Sequence, residues 1–183
     1  MSGRFRRKRH RIVAHLDPVE SVVLSQVLAQ LVELLGEAPD DPLAAAESAA
    51  PPEDPALRRL LPDGYRDDPE ASAELRRYTE GQLRAGKVRA AKAALSALPE
   101  GGGTVELDDE GAGEWLSALN DIRLALGTRL DIDDDTDLGE AVNDPELGES
   151  YLVYAWLTGL QDSLVEALSG IGQDDDWLNP PEA

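Results

Sequence analysis

The chain is 183 residues long, has 37 acidic against 17 basic side chains for a formal net charge of −20, and contains no cysteine. That length suits one domain whose core is large enough to fold unaided. Without cysteine there are no disulfides, thiolate nucleophiles, zinc–thiolate sites or thiol switches, and a body this acidic repels phosphate, which argues against binding DNA or an anionic membrane.

The apolar fraction, 42%, is carried by Leu, Ala and Val, with one Phe, three Trp and four Tyr. No apolar run reaches the roughly 18 residues of a membrane span. No signal-peptide core follows the basic N-terminus, so a cytoplasmic location is expected. The charge is uneven. Residues 1–11 hold Arg4, Arg6, Arg7, Lys8, Arg9 and Arg11 and no acid, whereas from residue 93 onward 22 acids face only Arg123 and Arg129.

Residues 1–11 read as a basic arm. It either contacts nucleic acid or an acidic partner, or lies solvated against the chain's own acidic surface. Ile12–Leu16 is a short strand candidate. Asp17-Pro18-Val19-Glu20 then carries an N-cap, a first-turn proline and a capping-box glutamate, which predicts a helix running to about Leu35 and stopping at Gly36. Val23, Val27, Gln30/Leu31 and Leu34/Leu35, widened by Leu24 and Leu28, give it a broad stripe and suggest a largely buried helix.

Residues 37–56, rich in Pro, Asp and Ala, read as a mobile loop. After it, Leu60-Leu61-Pro62 is apolar and Asp63-Gly64-Tyr65 is a turn, with Tyr65 expected to be packed and its hydroxyl bonded. Asp68-Pro69-Glu70 opens a helix reaching about Leu98. Leu75, Tyr78/Thr79, Leu83, Val88, Ala91 and Leu95 are its expected stripe. Its cations Arg76, Arg77, Arg84, Lys87, Arg89 and Lys92 suit the acidic half of the same chain.

Pro99-Glu100-Gly101-Gly102-Gly103 is a turn without the Lys-Ser/Thr of a phosphate loop. Thr104–Leu107 is a second strand candidate, and Asp108-Asp109-Glu110 opens a helix whose face is Trp115, Leu119, Ile122 and Leu126. Val13–Glu20 followed by Leu24, Leu28 and Leu31 is echoed by Val105–Glu110 followed by Trp115, Leu119 and Ile122. Each unit is strand, acidic cap and buried helix. Two lone strands cannot stand by themselves, so they are expected to pair as a ribbon. The alternating aspartates of Asp131–Asp137 lack the glycine and terminal glutamate of a calcium loop, since Thr136 and Val142 stand at those positions. Asp144-Pro145-Glu146 starts the last helix, striped by Val153, Trp156/Leu157, Leu160, Leu164 and Leu168 and ended by Gly170. Residues 173–183 form an acidic tail anchored, if at all, by Trp177.

Chemistry is sparse. His10 and His15 have no partner at motif spacing, and no Walker, dinucleotide-binding, HExxH or Gly-x-Ser-x-Gly pattern occurs. No metal site, cofactor or catalytic residue is assigned, and an enzyme is not expected. Cations on an apolar helix need partners. Arg123 either pairs internally, with the Asp67-Asp68 turn or the last helix, or joins Asn120, Asp121 and Arg129 in lining a groove that reads a partner.

The run Leu119-Asn120-Asp121-x-Arg123-Leu124-Ala125-Leu126-Gly127-Thr128-Arg129-Leu130 is the specific part of a wider resemblance. It is joined by Leu61-Pro62-x-x-Tyr65-x-Asp67-Asp68-x-Glu70-Ala71, Leu75-Arg76-Arg77-Tyr78-Thr79 and Tyr154–Asp162. Together these resemble the actinobacterial domain-of-unknown-function family that includes the oxidative-stress transcriptional regulator AosR. The resemblance covers nearly the whole chain. It implies a non-enzymatic regulator whose redox-sensing relative forms an intrachain disulfide and then engages an alternative sigma factor. This chain has no cysteine for such a switch, so what the resemblance leaves is the scaffold and a protein-binding surface. Tyr65, Asp67, Asp68, Arg76, Arg77, Asn120, Asp121, Arg123 and Arg129 are the partner-binding candidates. Arg4–Arg11 is a weaker nucleic-acid candidate.

The expected architecture is mainly α: a four-helix single domain over residues 12–172, with a small two-stranded β ribbon. The expected function is regulation through protein contact with the transcription machinery. The alternatives are a small-ligand or divalent-metal sensor using the acidic loop, or a DNA binder using the basic arm.

Overall fold

The computed structural model describes residues 3–36 and 50–170. The chain opens with a hairpin. β1 (Arg6–Lys8) runs antiparallel to β2 (Arg11–Leu16), joined by a turn in which Arg9 takes φ 58°. β2 pairs on its other side with β3 (Gly103–Leu107), also antiparallel, in the order β1-β2-β3. The pairing expected between the two strand candidates is present. The ribbon, however, has a third strand, formed inside the stretch read as a basic arm.

Phe5 explains why this charged segment is ordered. Its ring is buried edge-on against Trp115 at 5.4 Å, and its amide donates to Ser163 Oγ at 3.0 Å. Arg7 donates from Nε to the carbonyl of Ala167 at 2.9 Å and pairs with Asp109 at 2.9 Å.

β2 leads through Asp17 into α1 (Pro18–Leu35). The capping box is complete: Asp17 Oδ1 accepts from the Glu20 amide and Glu20 Oε2 from the Asp17 amide. Glu20 has a second task that the spacing did not reveal. Its Oε1 accepts from the Gly3 amide at 2.8 Å, so one buried carboxylate ties the N-terminal segment to the helix start.

The buried stripe of α1 is Leu24, Leu28, Leu31 and Leu35, with Val27 at its margin. Val19 and Val22 are exposed, so the helix is less enclosed than its apolar breadth suggested. By length and composition α1 is apolar enough to cross a membrane, contrary to the expectation that no run was long enough. Here its leucines face protein. No cation of its own serves its last turn, and Arg84 donates instead to the Leu35 carbonyl, where the helix dipole favours positive charge.

α2 (Pro55–Leu60), capped by Asp54, occupies the end of the segment read as a loop. Residues 37–49 of that loop and the tail 173–183 lie outside the described residues. α3 (Pro69–Ser96) matches its predicted span and is capped by Asp68. Its stripe matches only in the C-terminal half, where Ala91 is buried and Val88 and Leu95 pack against the core. Leu75, Tyr78 and Leu83 are exposed, and the buried positions are Ser72, Arg76, Ala90, Ala91 and Ala94. Small residues let the C-terminal half approach α1 and the central helix closely.

That central helix is α4 (Asp109–Arg129), capped by Asp108. A short α5 (Leu138–Ala141) and α6 (Gly148–Ser169) complete six helices among the described residues, four of them long. α6 starts four residues after Asp144, because Asp144 caps a preceding turn at the Glu146 and Leu147 amides. It ends, as expected, at left-handed Gly170.

α4 packs against α1, α2, α3, α6 and the inner face of the sheet. The core gathers around its Trp115, Leu119 and Ile122. The joint between β2 and α1 rests on Gly102, at φ +90°, where a Cβ would stand 2.8 Å from Pro18 N and 2.9 Å from the Asp17 carbonyl carbon.

Gly102→Ala therefore meets both a left-handed backbone and immovable main chain. It is expected to lose about 2 kcal/mol or more, against about 1 kcal/mol for Gly101→Ala, which is strained in φ but has open space. Urea denaturation of the two variants compares them. Equal losses would show that the joint yields.

Candidate protein-interaction face on helix α4

A helix packed on several sides leaves its polar residues little water. Asp121 lies one position before Ile122 and is 1% exposed. Its Oδ1 accepts from Lys87 Nζ of α3 at 2.6 Å, while Oδ2 has no partner among the described residues. Burial pushes the Asp121 carboxyl above the usual carboxylate range, against the opposing pull of the Lys87 hydrogen bond and charge. The cationic helix thus does meet the acidic half of the chain, at this one buried pair.

Arg123 turns to the other side, toward α6. Nε donates to Thr158 Oγ1 at 3.0 Å, an Nη donates to Gln161 Oε1 at 2.6 Å, and the guanidinium lies 5.5 Å from the Tyr154 ring centre. Its partner is the last helix, as one alternative held, but through neutral groups and a π-face rather than a carboxylate. Gly127 makes room there, since a Cβ would sit 3.2 Å from the Tyr154 ring. Tyr151 Oη donates to the Leu130 carbonyl at 3.1 Å.

Arg76 is also internal. It is buried and pairs with Asp63 and, at 3.2 Å, with Glu80, which in turn holds Arg84 at 2.8 Å. Tyr65 does not pack as expected. Its ring is exposed, and its backbone amide and carbonyl are the groups bonded, both to Ser72 Oγ.

Asp67, Asp68, Arg77, Asn120 and Arg129 are exposed, with Asp68 occupied as the α3 cap. The structure therefore does not gather the nine candidates at one place. Asp121 and Arg123 hold helices together, and Arg76 ties the start of α3 to the preceding loop. Arg129 stands at the rim of a groove lined by Val27, Leu31 and Leu34 of α1 and Ile122, Ala125 and Leu126 of α4, with Gln30 opposite. The groove encloses about 50 Å³, well below the ~300–1,000 Å³ of small-molecule sites and suited to one inserted side chain. Sequence reading did not single out this groove because Val27, Leu31, Leu34, Ile122 and Leu126 read as core, and Leu31 and Ile122 are indeed buried.

Wider open depressions lie beside Ser21 and Leu98, about 570 Å³, and between Lys87 and Glu114, about 520 Å³. In the acidic loop, Asp133 Oδ1 accepts from the Asp135 amide and Thr136 Oγ1. The Thr136 bond first, then the Asp135 amide, holds that carboxyl below its usual range. Asp137 caps α5. No three carboxylate or imidazole side chains converge as a metal site among the described residues. His10 and His15 are both exposed on the hairpin.

Removing one partner of a buried pair strands the other, so Lys87→Ala is expected to cost about 3 kcal/mol at neutral pH. The sign with pH follows from the raised Asp121 pKa. The folded state takes up this proton at a higher pH than the unfolded chain, so the group's contribution to stability grows as pH falls through the raised value. The Lys87→Ala penalty should then shrink on acidification, and Asp121→Asn should remove that pH-dependence. Asp133 and Asp144, whose carboxyls are lowered, act oppositely, and their contribution is lost as pH falls. Urea titrations at several pH values read both effects. A Lys87→Ala penalty independent of pH would contradict the assignment.

A family model described as a domain of unknown function (DUF2017) matches residues 1–168. The oxidative stress regulators AosR of Mycobacterium tuberculosis and Mycobacterium bovis are each 36% identical over 182 residues, covering 87% of this chain and 83% of theirs. A Mycobacterium leprae relative is 39% identical over 173 residues, covering 82% of this chain and 79% of its own. No solved structure matches the chain. With a family model spanning all but the last residues and relatives at this identity over four-fifths of its length, the protein is a member of the DUF2017 family.

Proposed function

We propose that this protein is a non-enzymatic cytoplasmic regulator that acts by binding another protein, a sigma factor or other transcription component. The observation that carries the reading is its 36% identity, over most of both chains, to proteins named as oxidative stress regulators. Charge supports a protein partner over nucleic acid, since a chain of net charge −20 attracts basic proteins and repels phosphate. The α1–α4 groove supplies an apolar socket with Arg129 at its rim, the arrangement of an anchor pocket with a polar margin. The sequence has no cysteine, so in this reading the contact is made without a redox switch of the chain's own.

The test is binding of the full chain to a panel of purified alternative sigma factors. Micromolar or tighter binding to at least one is expected. Arg129→Glu should weaken it about tenfold without moving the unfolding temperature, as befits an exposed rim charge. Arg123→Ala should instead lower the unfolding temperature. Binding by none of the panel, or by all equally and unaffected by Arg129→Glu, would count against the proposal.

A further inference from the structure

The outer face of the sheet is basic on an otherwise acidic molecule. Alternation along β2 turns Ile12, Ala14 and Leu16 inward and leaves Arg11, Val13 and His15 outward. The register sets Arg6 opposite Val13 and Val13 opposite Glu106, and it sets Lys8 opposite Arg11. Arg4 is exposed between buried Gly3 and Phe5 and extends the same row. Among the described residues no carboxylate pairs with Arg4, Arg6, Lys8 or Arg9, and Arg11 reaches Asp108 only at 3.8 Å with both side chains exposed. Like charges set directly across a strand pair are destabilising, so Lys8 against Arg11 favours a bound anion.

We infer that this face is the docking surface for the chain's own acidic C-terminal segment, residues 171–183. That segment holds Asp174, Asp175, Asp176 and Glu182 and no cation. Its starting point is fixed by the fold, because the last turns of α6 lie on the hairpin: Ser163 Oγ accepts from the Phe5 amide, and the Ala167 carbonyl accepts from Arg7 Nε. Phe5 and Arg7 flank Arg6 and face the opposite side of β1, an edge strand, so the chain leaves α6 beneath that edge with the basic row on the other side of it.

From Gly170 the four residues to Asp174 reach about 14 Å at 3.3–3.6 Å each, while three strands about 4.8 Å apart span about 10 Å. Rounding the β1 edge uses part of that reach, so the aspartates meet the edge row of Arg4, Arg6 and Lys8 first, and Trp177-Leu178 can follow onto half-buried Val13. A tethered segment this short has an effective concentration in the millimolar range. An outside polyanion must instead approach a body that, without the segment's four acids, still carries −16 (−20 + 4). The inference is independent of the regulatory reading.

Amide NMR tests it on the full chain and on a chain ending at Gly170. Truncation should move the resonances of Arg4–Arg11 and His15 and leave Trp115–Ile122 of α4 in place. Asp174→Asn/Asp175→Asn/Asp176→Asn in the full chain should reproduce most of that movement with the unfolding temperature unchanged. Raising salt should do the same, since the screening length falls from roughly 30 Å at 0.01 M to 3 Å at 1 M. A synthetic 171–183 peptide added to the truncated chain should restore the original positions, and should fail to do so on Arg6→Glu/Lys8→Glu. The inference is overturned if truncation leaves the hairpin resonances unmoved or moves another surface. It also falls if the triple asparagine variant behaves as the parent, or if a short DNA duplex binds full and truncated chains equally well.

Discussion

Helix α4 is enclosed by four other helices and a sheet, and it carries polar residues at two positions the enclosure reaches. Asp121 and Arg123 are two residues apart and so point about 200° from one another around the helix. One faces α3 and the other α6. Each must find a partner or leave a buried charge without compensation, and each does: Lys87 on one side, Thr158, Gln161 and the Tyr154 ring on the other. These two contacts set the rotation of α4 and the register of the helices beside it. Apolar packing holds the helices together, and these directed contacts add constraints that an apolar face, tolerant of volume-conserving repacking, does not supply by itself.

The elements most legible in the sequence were those written in local chemistry. Asp17 with Glu20, Asp68 with Pro69, and Asp108 each mark a helix start whose cap bond forms within three or four residues, independent of tertiary context. The echo of strand, acidic cap and helix also corresponds to a physical pairing, since β2 and β3 are hydrogen-bonded neighbours. What was not legible depended on distant contacts. β1 is three cationic residues, a composition that reads as solvated chain, and it is a strand because Phe5 lodges against Trp115 and Ser163, more than a hundred residues away. The sole phenylalanine of the sequence, set in a charged run, was the available signal.

The failure of the predicted stripe in the first half of α3 has a related cause. Leu75, Tyr78 and Leu83 fit helical spacing, but a helix of 28 residues outruns its neighbours. Its first half lies along the short 61–68 segment, and there buried Arg76, held by Asp63 and Glu80, takes the place an apolar residue would occupy. Farther along, where Ala91 buries as its spacing predicts, Ala90 and Ala94 bury with it because close helix approach selects for small side chains, which periodicity ranks below Leu and Tyr. Periodicity locates a helix well; the face that meets the core is chosen by what stands opposite.

The same distinction bears on the most specific part of the family resemblance. Of Asn120, Asp121, Arg123 and Arg129, the two middle residues are spent on internal contacts, and the Tyr154, Thr158 and Gln161 that resemble the family's last helix are the groups Arg123 touches. Two motifs separated by some thirty residues are thus two halves of one helix–helix contact. A chain that shares them shares an architecture before it shares a partner. The positions the packing leaves free are the ones at which members sharing this architecture can differ without cost to the fold. On α4 the exposed candidates are Asn120 and Arg129, whereas Ile122 and Ala125, which line the groove toward α1, belong to the core and cannot be exchanged without disturbing how the helices stand.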